Sequence, residues 1–148
     1  MTGARTFERG SSLPETAIIM AVLLALMFGI IDFGRAIYTY AFVAQLARQG
    51  ARWAVVRGSE CTLLDHCNAQ SSDVKTYVQS LSEGATNANN IGVLASWGSC
   101  PPGSTGNAPG CVVTVNVTYN FAFMLPWLPS GSLATIPMSS ASAMVVSQ

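Results

Sequence analysis

The sequence predicts an α+β protein: a long N-terminal helix, membrane-spanning in its first half, packed on a small C-terminal antiparallel β-sheet. Three observations carry this. Thr16–Ile31 contains no formal charge. No proline interrupts the chain from Thr16 to Arg57, where Ala, Leu, Arg and Gln dominate the latter half. Val112–Asn120 alternates strictly, with Val113, Val115, Val117 and Tyr119 on one face and Val112, Thr114, Asn116 and Thr118 on the other, the period of a half-buried strand.

The apolar run alone makes about 24 Å of helix, short of a hydrocarbon core of about 30 Å. Continuing through Asp32-Phe33-Gly34-Arg35 to Tyr38 exceeds that thickness, so the span is placed at about 16–37. Asp32 and Arg35 are spaced to pair on one helix face and to reach the outer interface as an interfacial ion pair, with Tyr38 and Tyr40 as interfacial aromatics. Pro14 suits a first helical turn, and Glu15 beside it sits at the positive end of the helix dipole. The helix is expected from about Pro14 to about Val56, ending near Arg57-Gly58-Ser59. In its outer half Ala36, Tyr40, Val43, Ala44, Ala47, Ala51 and Ala54 form a small-sided stripe suited to close packing, with Gln45, Arg48, Gln49 and Arg52 opposite. That stripe packs on the chain's own C-terminal domain, or on a second subunit, or on both.

Beyond the helix, Ser59–Asn68 reads as a cysteine-containing loop. Asp73–Glu83 reads as a short helix with Val74, Tyr77, Val78 and Leu81 on its apolar face and Ser72 or Asp73 as cap. Ile91–Trp97 is a candidate strand, and Ser99–Gly110 a Pro/Gly loop. Thr135–Val146 is a closing strand whose early Pro137 suits an edge or a strand start. The aromatic segment Phe121–Leu128 either folds over the sheet and helix or forms an exposed apolar patch. The chain therefore divides into a polar leader (1–10), the long helix (11–57) and an extracytoplasmic α+β domain (58–148).

Composition narrows the function. The 148 residues hold one modest domain plus an anchor, with only 9% charged residues and no net charge. A single Lys and no cationic cluster argue against a nucleic-acid surface. Cys61, Cys67, Cys100 and Cys111 all follow the apolar run, which points to an oxidising compartment and up to two disulfides. Three connectivities are possible; Cys61–Cys67 with Cys100–Cys111 is preferred because each closes a short loop of turn-forming residues. Cys61, Asp65, His66 and Cys67 lack the spacing of a zinc site, and no cofactor motif is present. No nucleophile elbow, phosphate loop or spaced metal set marks an enzyme. Arg5 and Arg9 before the run favour N-terminus in.

The stretch Arg9-Gly10-Ser11-Ser12-Leu13-Pro14-Glu15 is the most telling. A carboxylate where an apolar span begins is costly unless it has a partner. A secretory signal does not fit, because Glu15 opens the run and no convincing small-x-small site follows directly. The pattern fits a leader cut between Gly10 and Ser11, which leaves a new ammonium on Ser11 able to answer Glu15.

Gly10, Glu15, the apolar run, Asp32-Phe33-Gly34-Arg35-Ala36 and Ala47-Arg48-Gln49-Gly50-Ala51-Arg52 resemble the N-terminal region of TadE-like proteins, and Val113–Tyr119, Pro126 and Ile136–Val146 resemble their tail. These are pseudopilins or minor pilins of the tight-adherence (Flp) branch of type IV pilus systems. The resemblance implies a pilin-like fold and processing after Gly10 by an inner-membrane prepilin peptidase. It also implies partners among other pilins and the Tad assembly machinery, in a bacterial inner membrane or a pilus. From it Gly10 is carried over as the residue before the cut, and Glu15 as the fifth residue of the mature chain, neutralising a subunit's α-amine. Ser11 and Thr16 stand where many pilins carry aromatics. The alternative is an unprocessed single-pass protein with an extracytoplasmic disulfide domain and a non-pilus role.

Overall fold

The computed structural model describes residues 12–83, 90–124 and 135–147. Helix α1 runs Ser12–Val55 and helix α2 Ser71–Ser82; strands β1 (Ile91–Gly98), β2 (Val112–Ala122) and β3 (Thr135–Val145) form one antiparallel sheet in that order. At 1.5 Å per residue α1 is about 66 Å long. Its bounds match the expected helix to within two residues, because nothing between Pro14 and Gly58 breaks it.

Only the outer half of α1 is packed. From Leu13 to Ile31 every side chain is exposed, and the first buried one is Asp32. Beyond it α1 lies across β2, β3 and α2. The seam consists of Asp32, Thr39, Val43, Leu46, Ala47, Gly50, Ala51 and Ala54. It overlaps the expected stripe but is rotated from it. Tyr40 is exposed and Ala36 and Ala44 are half-buried, while Thr39, Leu46 and Gly50 take the covered positions. Gly50 allows the closest approach. A Cβ there would lie 2.8 Å from Val78 Cγ2 and 3.2 Å from Val115 Cγ1, so α2 and the sheet meet the helix where it has no side chain.

The sheet turns its valine face to α1. Val113, Val115 and Val117 are fully buried and Tyr119 half-buried, as the alternation requires. In α2, Val74 and Val78 are buried and Tyr77 packs against that core, but Leu81 is exposed and Ser82 is buried in its place. The cap is Gln70 rather than Ser72 or Asp73. Asp73 contributes from the third helical position, its carboxylate accepting the Gln70 N–H at 2.9 Å.

The strands run along the helix. At one end the Met124 N–H reaches the Asp32 carboxylate, and at the other the Ser147 N–H donates to the Val55 carbonyl at 3.2 Å. β3 therefore travels in the same direction as α1. β1, antiparallel to β2, travels that way too.

The far end of the domain is stapled. Cys61 is bonded to Cys67 and Cys100 to Cys111, the preferred pairs. Asn107 joins the two cysteine loops: its carbonyl accepts the Ser59 N–H, and its side-chain amide donates to Asn68 Oδ1 at 2.8 Å. Arg57 lies 4.3 Å over the Trp53 ring and donates from Nε to the Asp65 carbonyl, tying the helix end to the first loop.

Candidate functional site: the bare helix and its latch

Residues 13–31 of α1 amount to about 28 Å of helix with its side chains exposed, close to a hydrocarbon core of about 30 Å. Leu13, Ile18, Leu26 and Ile30 are each more than 60% exposed, which water alone would make unfavourable. The helix is long and apolar enough to cross a membrane.

Glu15 sits in the first turn of this bare half, followed by Thr16, whose hydroxyl donates to the Leu13 carbonyl at 3.0 Å. Gly10 and Ser11 lie outside the described residues. Glu15 and Asp32 are about 25 Å apart along the helix, so the two acids belong to separate sites.

The upper limit of the bare stretch is set by a latch. Asp32 is only 3% exposed. Its carboxylate accepts Arg35 Nη1 at 2.9 Å and the Met124 N–H at 3.1 and 3.3 Å. Arg35 lies 5.3 Å over the buried Phe121 ring, and its carbonyl accepts the Thr39 hydroxyl at 2.8 Å. The pair forms at the expected spacing. Arg35 is partly exposed, and the Asp32 carboxylate is turned under the end of the sheet. The contact of the sheet domain with α1 begins at Asp32, inside the expected span of about 16–37. The reason is a backbone donor 92 residues away, whose demand for an acceptor draws the carboxylate inward.

Of the aromatic segment, Phe121 folds onto the helix, and Phe123 meets it edge-on at 5.4 Å, half-buried; Met124 is exposed. Residues 125–128, with Pro126 and Trp127, lie outside the described part. Phe121 and the Met124 amide make contacts with this pair that a sequence pattern could not assign; the signal available was an acid and a base three apart at the end of an apolar run.

A long helix, bare at its N-terminal half and roofed by a small antiparallel sheet over the rest, defines a pilin-like α+β architecture. The model of the family described as TadE-like protein matches residues 10–52. That match covers less than a third of the chain and takes in Gly10, Glu15, the bare helix, the Asp32–Arg35 pair and Gly50. No curated protein and no solved structure matches the chain.

Proposed function

We propose that this chain is a pseudopilin or minor pilin of a tight-adherence type IV pilus. It is cut after Gly10 by a prepilin peptidase, then held N-terminus in through α1, with its sheet domain outside a bacterial inner membrane. The observation that carries this is the coincidence of the TadE-like match with the bare half of α1, where an acid opens a membrane-length apolar helix. A cut after Gly10 places an ammonium on Ser11 four residues before the Glu15 carboxylate, in one low-dielectric zone where each offsets the other's desolvation. Between subunits, the same attraction sets axial register during assembly. The role is structural and adhesive rather than enzymatic.

Intact mass of the chain recovered from its native membrane tests this. The expected mature form begins at Ser11, and Gly10→Leu leaves it uncut. An uncut natural chain, or a cut beyond Ile31, would overturn the reading in favour of a plain membrane anchor or a secreted domain. Glu15→Ala is expected to leave processing intact and to lose incorporation into pili.

A further inference from the structure

Every Asp, Glu, Lys, Arg and His of this protein lies at or before Glu83; Gly84–Gln148 contains none. All three strands fall in that neutral stretch. Sheet proteins ordinarily guard their edges with charge, above all with lysine, because an open edge offers unpaired N–H and C=O groups to any other strand. Here both edges lack charge. One further guard is present on each: Pro137 on β3, and on β1 the helix α2, which packs against that strand and whose Ser71 hydroxyl accepts the Ala95 N–H at 3.2 Å.

The ladder shows which groups are open. Val146, an even residue, donates to the Cys111 carbonyl on the β2 side. In an antiparallel ladder the direction alternates, so Ser139, Ala141, Ala143 and Val145 turn their backbone groups outward. Ala95 donates away from β2, and Ile91, Val93 and Trp97 share its direction. Four residues on each edge thus present backbone groups, and apart from Ala95 none has a hydrogen-bond partner among the described residues. The outer face between the edges is neutral too: Leu94 is 71% exposed and Val145 58%, among Thr114, Asn116, Thr118, Ala141 and Ala143.

We infer that the β3 edge of one copy pairs with the β1 edge of a second copy of this chain, extending the sheet from subunit to subunit. This rests on the proposed membrane anchoring. β1 and β3 both run with α1, so copies standing upright in one membrane bring β3 beside a neighbour's β1 as a parallel pair. Antiparallel β3–β3 pairing would turn one anchor upside down. Neutral edges meet without repulsion and without a buried unpaired charge. The contact is heterologous: it joins two different patches and repeats, closing into a ring or continuing as a helical array.

The test uses the full chain in its native membrane, expressed as a mixture of light and heavy isotope-labelled copies, with Ala143→p-benzoylphenylalanine as photo-crosslinker. The expected product joins position 143 of one isotopic form to residues 91–98 of the other, a link that β2 prevents within one chain. Ala141→Pro, which removes an outward N–H without touching the β2 ladder, is expected to lower the yield about five-fold, the scale of one hydrogen bond of about 1 kcal/mol. Ala141→Lys is expected to lower it as well, and both variants should keep their disulfides and circular dichroism. Crosslinks confined to lipid, to a neighbour's α1 or to a different protein overturn the inference, as does full yield from both folded variants. The N-terminal mass read from the same samples separates the two claims. A chain beginning at Ser11 without the β3–β1 link sinks this inference alone, whereas an uncut chain sinks the pilin reading.

Discussion

The two halves of α1 are one uninterrupted helix made from much the same residues, yet they solve opposite problems. Between Leu13 and Ile31 the side chains are exposed, and large residues such as Ile18, Leu26 and Ile30 crowd the surface. From Asp32 to Val55 the covered face shrinks to Thr39, Ala47, Gly50, Ala51 and Ala54, with Val43 and Leu46 as the large exceptions. Bulk suits a helix with no rigid neighbour to meet at close range. Smallness suits one whose neighbour is a rigid sheet of valines that must come close. Side-chain volume, more than hydrophobicity, distinguishes the exposed half of this helix from its packed half.

Matched substitutions in the two halves put this contrast at risk. The largest difference is expected for leucine truncation. Leu46→Ala, in the core, should cost about 2–5 kcal/mol of domain stability. Leu26→Ala, on the bare half, should stay within about 0.5 kcal/mol. Urea unfolding in detergent, followed by tryptophan fluorescence, reads both; equal losses would mean that the bare half packs on the domain after all. Glycine gives the next contrast. Gly50→Ala must push Val78 and Val115 aside and should cost about 1–3 kcal/mol. Gly29→Ala meets nothing within 4 Å and should be neutral or stabilising by up to about 1 kcal/mol through helix propensity. A neutral Gly50→Ala in the same assay would show that the helix–sheet contact is loose.

The smallest effect sharpens the boundary itself. Asp32→Asn keeps an acceptor for the Met124 N–H but loses the charge that holds Arg35, and should cost about 1 kcal/mol. Amide exchange at Met124 is expected to rise while exchange in the middle of β2 stays slow. If β2 exchanges faster to the same extent, Asp32 supports the whole sheet rather than its lower end.

Much of the fold was legible because its elements are periodic. The proline-free helix, the alternating β2 and the edge position of the Pro137 strand all follow from local rules, and short loop closure favoured the observed cysteine pairs. The phase of the helix seam was less legible. Tyr40 and Thr39 are adjacent, and only the placement of the sheet decides which is covered. Leu81 and Ser82 changed places for the same reason at the end of α2. The Asp32 latch was half legible: the Arg35 partner follows from spacing, whereas Met124 is a backbone donor with no side-chain signature. In the candidate site, Glu15 was visible as an acid in an expensive place, and Gly10 and Ser11 rest on the leader pattern and the TadE-like match.

The alignment of the strands with α1 has a mechanical consequence. A pull along the helix axis, as when a subunit is drawn out of a bilayer, loads the helix–sheet contact and the β2–β3 ladder in shear. Their hydrogen bonds and side-chain contacts then bear the load together rather than opening one at a time. The Asp32–Met124 bonds stand at the N-terminal end of that contact and would take up the strain of a pull from that side first. Weakening them should lower the rupture force of a tethered single molecule by more than the accompanying loss of about 1 kcal/mol in equilibrium stability would by itself suggest.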